Sequence, residues 1–268
     1  MPIHLPIKDN TATIRLLQIS DPHLLNDKNA LFAGVQPYHT LQAVLDDAKQ
    51  HPFDFMLCTG DIAQESGIAS YDNYLELADS TQLRHFYIRG NHDDCPDFPV
   101  QQLDNQPTLL VIGQWCIVLL NSQKNAQIHG EISTEQLTYL DKYLAEYPQH
   151  YFLIALHHNT FPVGCAWLDQ HRLHNAEQFL ATLAPYSHVK LVISGHVHQH
   201  FHRHEQGIDF LSCPSTCVQF KPLQEKFCLD STPPGYRTLT LLADGRYITE
   251  VHHLTKQLGE IDLKLAAY

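Results

Sequence analysis

Five short runs of apolar and β-branched residues recur along the chain, over 14–19, 53–58, 85–88, 151–156 and 189–193. Runs of this length and make-up predict strands buried on both faces. Between them the spacing turns helical over 40–50 (Leu41, Val44, Leu45, Ala48), 71–78 and 176–183. Ser133 stands three residues before Gln136, a capping-box pattern that predicts a helix through Leu137, Leu140, Tyr143 and Leu144 up to Pro148. Alternating strands and helices predict an α/β fold. After Gly195 the pattern becomes strand-like, at 210–211, 237–242 and 247–251, with Asp244-Gly245 predicting a hairpin turn. The proline-rich stretch 214–235 predicts an irregular loop over the core.

Each of the five runs ends in side chains that bind metals. They are Asp21-Pro22-His23, Gly60-Asp61, Gly90-Asn91-His92-Asp93, His157-His158 and Gly195-His196-Val197-His198. Every candidate ligand therefore lies just past the C-terminal end of a predicted strand. In open α/β sheets that edge is where ligands bind, because several strand ends and their loops converge there. A lone histidine in a chain with 20 of them would mean little; the five runs together predict a metal site.

Composition narrows the setting. A chain of 268 residues with 44% hydrophobic content can bury a sizeable core, and one domain over 1–268 is expected. No apolar run reaches the ~18 residues of a membrane span, and Met1 to Ala12 lacks the apolar core of a signal peptide, so a soluble cytoplasmic protein is expected. The seven cysteines include no C-x-x-C pair and predict buried, reduced thiols. A formal charge of −12 disfavours a nucleic-acid polymer as partner. Bound cations can still reverse the field locally for a small anion.

Two metal ions held ~3.5–4 Å apart can share a water, lower its pKa toward ~7 and neutralise a phosphoryl group under attack. Asp, Asn and His donors select borderline first-row ions, iron, manganese or zinc, over structural zinc. Asp61 suits the bridging place, since a carboxylate can serve both ions. Two divalent ions bring about +4, Asp21 and Asp61 about −2 and a bridging hydroxide about −1, leaving roughly +1, which suits a phosphodiester monoanion.

In this order the five runs resemble the motifs of the calcineurin-like metallophosphoesterase superfamily. The resemblance implies an αββα sandwich, two packed β-sheets flanked by helices. It implies one metal on Asp21, His23, Asp61 and His198 and a second on Asp61, Asn91, His157 and His196, with His157 preferred to His158 as nearer the strand end. It also implies substrate contacts from His23, Asp61, Asn91, His92 and His198. His92 matches the residue that touches the phosphate and protonates the leaving group, and with Asp61 it is the expected catalytic residue. Three further runs, 164–171, 213–222 and 234–239, are similar to bacterial class III cyclic nucleotide phosphodiesterases. That implies hydrolysis of 3′,5′-cyclic AMP to 5′-AMP, with iron among the metals. Glycerophosphodiesters or 2′,3′-cyclic nucleotides are alternative substrates, and a non-catalytic scaffold is a rival of another class.

Several residues have plainer expectations. His200, His202 and His204 continue the alternation of His196 and His198 and predict a polar strand face leaving the site. Cys213 and Cys217 are expected to pack beside it. Asp93 and Asp94 are expected to form a turn or to hold ligands by hydrogen bonds. Trp167 can stack on a base or plug the loop after His158. His171 and His174 are expected in loops.

Overall fold

The computed structural model describes residues 2–6, 13–65, 67–99 and 105–266; Met1 and 7–12 of the N-terminal stretch lie outside them. In chain order the elements are β1 (Ile3–His4), β2 (Ile14–Ile19), α1 (Pro37–Ala48), β3 (Phe55–Cys58), α2 (Ile68–Ser80), β4 (Arg84–Tyr87), β5 (Thr108–Ile112) and β6 (Trp115–Leu119). There follow α3 (Thr134–Glu146), β7 (Tyr151–Ala155), α4 (Ala176–Leu183), β8 (Val189–Ser194), β9 (Phe201–Glu205), β10 (Ile208–Ser212), β11 (Gln219–Phe220), β12 (Leu229–Asp230), β13 (Gly235–Leu241) and β14 (Tyr247–His253). They build a five-stranded sheet, β14-β13-β2-β3-β4, and a seven-stranded sheet, β1-β5-β6-β7-β8-β10-β9. All five predicted strands and all four predicted helices form.

The layering follows from the two-residue period of the strands. On β2, Leu16 points into a cluster shared with Phe55, Leu57, Ile117, Leu153 and Leu191, so the two sheets pack face to face. Its neighbour Leu17 points the other way, into a cluster with Leu41, Val44 and Leu45 of α1 and Tyr74 and Leu77 of α2. On the other side Phe152 and Ile154 of β7 meet Leu140 and Leu144 of α3 and Phe179 of α4. The result is the helix–sheet–sheet–helix sandwich.

Where the pattern reading departs from the structure, tertiary contacts explain it. The β5–β6 hairpin, joined through Gly113 and Gln114, has no counterpart in the predicted elements. Residues 214–235 hold the short antiparallel pair β11–β12 rather than loop alone. The capping box is half formed: Ser133 Oγ accepts from Gln136 N–H at 3.2 Å. The Gln136 amide turns away and clasps the backbone of Asn121, accepting at 2.8 Å and donating at 2.7 Å. His202 and His204 form the expected polar face, on β9 against Asp209, but the face does not include all the alternating histidines. His196 and His198 sit in a tight turn with positive φ, and β9 begins only at Phe201. Among the described residues no helix is long and apolar enough to cross a membrane.

Candidate metal centre

The loops after β2 and β3 stay laced together beyond the strand ends: Asp21 N–H donates to Gly60 O and His23 N–H to Asp61 O, both at 3.0 Å. In the other sheet Gly195 N–H donates to His157 O at 3.0 Å. Two polar ties join the sheets at this end. His196 N–H donates to both oxygens of the Asp21 carboxylate, at 3.0 and 3.1 Å, and the His157 Nδ1–H donates to Thr59 O at 2.7 Å. The glycines of the motifs are required by this crowding. A Cβ on Gly90 would run into the Asp61 carboxylate, and one on Gly195 into the hydroxyl of Ser20.

All the candidate ligands converge here. Ligand atoms of Asp21, His23 and His198 lie within 4.8 Å of one another, as do those of His23, Asp61 and His92, of Asp21, Asp61 and His157, and of His157, His158 and His196. Asp61 stands between the histidines: its Oδ2 is 3.3 Å from His157 Nε2 and 3.9 Å from His23 Nε2. Its Oδ1 accepts from the backbone N–H of His92 at 2.8 Å. Asn91 Oδ1 lies 3.2 Å from His157 Nε2. Five of the candidate ligand positions, Asp21, His23, Asp61, His196 and His198, have φ between 47° and 68°. Non-glycine residues rarely take this left-handed backbone, and where they do they mark sites whose geometry is imposed by the surroundings.

The ring nitrogens show what the cluster accommodates. Outward nitrogens of three histidines face oxygen acceptors: His23 Nδ1 meets Gln64 Oε1 at 2.8 Å, His157 Nδ1 meets Thr59 O at 2.7 Å and His198 Nδ1 meets Val218 O at 2.7 Å. A proton on each Nδ1 leaves the Nε2 lone pair directed inward, the arrangement that orients metal-ligating histidines. As a consequence His23 Nε2 and His198 Nε2 face each other at 3.1 Å, lone pair to lone pair. The buried His196 Nε2 has no hydrogen-bond partner among the described residues. A cation resolves both. His158 differs, since its Nδ1 meets Ser122 Oγ at 2.9 Å and its Nε2 meets Ile128 O at 2.9 Å. Both of its nitrogens are committed to the fold.

Electrostatics agree. Burial pushes the Asp61 carboxyl up, but His157 and then His92 outweigh it and hold the group well below the ordinary carboxylate range. Burial, then His92, holds the His23 imidazole down to about 3. Burial disfavours charge on His157 as well, yet Asp61 lifts it to about 9. The buried carboxylates thus draw a proton onto a histidine, a place that a cation takes by displacing it. Asp93 does what the sequence suggests, accepting from the N–H groups of Ile62, Ala63 and Gly90 at 3.1, 3.1 and 2.9 Å and from Tyr71 OH at 3.2 Å. It pins the two ligand loops together.

A cleft of about 300 Å³ opens onto Asn91, His92 and His196 and continues between Trp167, Phe220, Phe227 and His171. Phe227 and Ile128 had no signal in the sequence, and His171 joins the wall from a 3₁₀ turn over Asp169–His171. His174 instead stacks on His129, with centroids 3.6 Å apart. Cys213 and Cys217 are buried and, among the described residues, join no cluster of metal-ligand type. A larger polar cleft of about 540 Å³, lined by Arg89, Asp94, Asn121 and Gln136, contains none of the candidate ligands.

Residues 14–200 match the family model for calcineurin-like phosphoesterases. The chain is 43% identical over 263 residues, 96% of each chain, to the 3′,5′-cyclic adenosine monophosphate phosphodiesterase CpdA of Escherichia coli K12. It is 32% identical to a 3′,5′-cyclic-nucleotide phosphodiesterase of Nostoc, covering 91% of this chain and 94% of that one. Among solved structures, a dimetal phosphatase from Danio rerio superposes with a TM-score of 0.65 at 14% identity, over 88% of this chain and 98% of that one. At that identity the likeness speaks for the fold.

Proposed function

The chain belongs to the calcineurin-like phosphoesterase family, and on that premise we propose that it hydrolyses 3′,5′-cyclic AMP to 5′-AMP at a two-metal site. The observation that carries the reading is the near full-length identity to a relative named for this reaction, 43% over 96% of both chains. The site's residues fit it. Asp21, His23, Asp61 and His198 would hold one ion, and Asp61, Asn91, His157 and His196 the other, with Asp61 shared. When bound, two divalent ions supply an activated water and neutralise the phosphoryl oxygens during displacement. Iron, alone or with manganese, is the pair we propose for these nitrogen and oxygen donors.

The protein's own groups do the rest. Inward Nε2 lone pairs of His23, His157 and His198 are fixed by their outward hydrogen bonds. The backbone N–H of His92 orients the Asp61 carboxylate. The His92 imidazole lines the cleft and delivers a proton to the departing ribose 3′-oxygen as water adds to phosphorus and the P–O3′ bond breaks. The seven cysteines, none of them paired, suit a reducing cytoplasmic setting.

A substrate panel on the metal-loaded enzyme tests the reading. Cyclic AMP should be turned over with a higher kcat/KM than 2′,3′-cyclic AMP or glycerophosphodiesters. Chelation should abolish activity, and manganese or iron should restore it better than magnesium, which prefers all-oxygen octahedral sites. Preferred cleavage of glycerophosphodiesters would replace the reading by its nearest rival, and full activity in excess chelator would end the two-metal reading.

A further inference from the structure

The cleft that opens onto the metal centre has two unlike ends. Asn91, His92 and His196 form a polar end, and Trp167, Phe220 and Phe227 form an aromatic end. The rings of the aromatic end pack on one another. Trp167 meets Phe220 edge to face at 5.0 Å and 78°, and Phe227 at 5.2 Å and 74°. Phe220 and Phe227 contact each other at 5.6 Å. Three rings that brace one another in this way present a surface already shaped for a flat partner. The Trp167 indole N–H in that wall is buried and has no acceptor among the described residues. A buried donor without an acceptor is costly unless a ligand supplies one.

We infer that this aromatic end holds the purine base of the substrate, with Trp167 the residue that selects for it. The inference rests on the cyclic-nucleotide reading above. A cyclic nucleotide has the polarity of the cleft, with an anionic phosphodiester at one end and a flat aromatic base at the other. At about 300 Å³ the cleft is at the small end of the ~300–1,000 Å³ typical of ligand sites, which suits one mononucleotide. Purine ring nitrogens accept hydrogen bonds and can satisfy the indole N–H, while the faces of the base pack on the aromatic wall. A glycerol group offers neither an aromatic face nor a ring nitrogen.

The test separates the base slot from the phosphodiesterase reading. The chain has two tryptophans, and Trp115 is fully buried with its Nε1–H donated to Leu242 O at 2.8 Å. Fluorescence changes on adding adenosine, which lacks a phosphate, therefore report on Trp167. Adenosine should quench the wild-type emission where ribose does not, and Trp167→Phe should be silent. In kinetics, Trp167→Ala should lower the ratio of kcat/KM for cyclic AMP to that for bis(p-nitrophenyl) phosphate by ~10–100-fold, the usual effect of losing one base-stacking ring. Trp167→Phe, which keeps a ring and lacks the N–H, should fall between. Equal losses on both substrates, or no fluorescence response to millimolar adenosine, would overturn the inference. Wild-type enzyme that cleaves bis(p-nitrophenyl) phosphate and ignores cyclic AMP would sink the proposed function instead, and the adenosine titration would still decide the slot.

Discussion

The phenyl ring of Phe220 lies flat on the imidazole of His198, with centroids 3.9 Å apart and planes 8° from parallel. With the Val218 carbonyl on its Nδ1 edge, the His198 ring is held on one edge and one face. Phe220→Ala removes the face contact and leaves the ligand atom in place. If His198 is a metal ligand as proposed, the substitution should weaken metal affinity by ~10-fold, the scale on which supports behind a ligand act. Competition with a chelator of known affinity measures this, and unchanged affinity would reduce the stack to ordinary packing.

Asp61 should be the least replaceable ligand, because its carboxylate faces both His23 and His157. Asp61→Ala should lose or misplace both ions, whereas Asn91→Ala should chiefly weaken one. Elemental analysis after dialysis distinguishes them; two ions retained tightly by Asp61→Ala would show that the bridge lies elsewhere.

For His92 the expected loss depends on the leaving group. An alkoxide leaves poorly, so a positioned acid contributes ~10²–10⁴ in rate, whereas p-nitrophenolate departs unprotonated. His92→Ala should therefore cost cyclic AMP hydrolysis far more than cleavage of bis(p-nitrophenyl) phosphate. Equal losses in kcat, with metal content unchanged, would leave His92 as a phosphate contact only.

Away from the site, the Asp209 carboxylate accepts from His202 at 2.8 Å, His204 at 2.9 Å and Tyr247 OH at 2.6 Å. Burial pushes its pKa up, but these bonds, His202 first, outweigh it and hold the pKa below the ordinary value. A depressed folded-state pKa stabilises the fold fully above the unfolded value of ~3.9, and the gain is lost as pH falls through the folded one. Asp209→Asn should thus cost about 1 kcal/mol at pH 7 and progressively less toward pH 3. Unfolding titrations at both pH values check the sign: a gap that does not change with pH means that the charge of Asp209 contributes nothing.

How far the sequence could be read depended on whether a feature is local. The gathering of the candidate ligands Asp21, Asp61, Asn91 and His157 was legible because each follows a continuous apolar strand within a few residues, and the fold brings all the strand ends to one edge. The cleft wall was legible only in part, through Trp167 and the run that holds Phe220. Ile128 and Phe227 come from separate loops without periodicity, and only the tertiary fold sets them beside His92. The supports of the histidines were equally hidden, since Gln64 and the carbonyls of Thr59 and Val218 are ordinary residues until a ring nitrogen is aimed at them. Alternation holds for His202 and His204 on the exposed face of β9 but does not extend back to His196 and His198, because a reversal of the chain between β8 and β9 breaks the strand period.

The left-handed backbone at Asp21, His23, Asp61, His196 and His198 carries a local cost. Each such residue is held where an L side chain costs about 1–2 kcal/mol and glycine almost nothing. The side chains offset that cost, since the Asp21 and Asp61 carboxylates accept the backbone N–H groups of His196 and His92, and His198 is held between Val218 O and Phe220. Glycine would relax the backbone yet leave cavities and unpaired donors at a greater cost, so the contacts that hold these residues in a disfavoured conformation also keep glycine out.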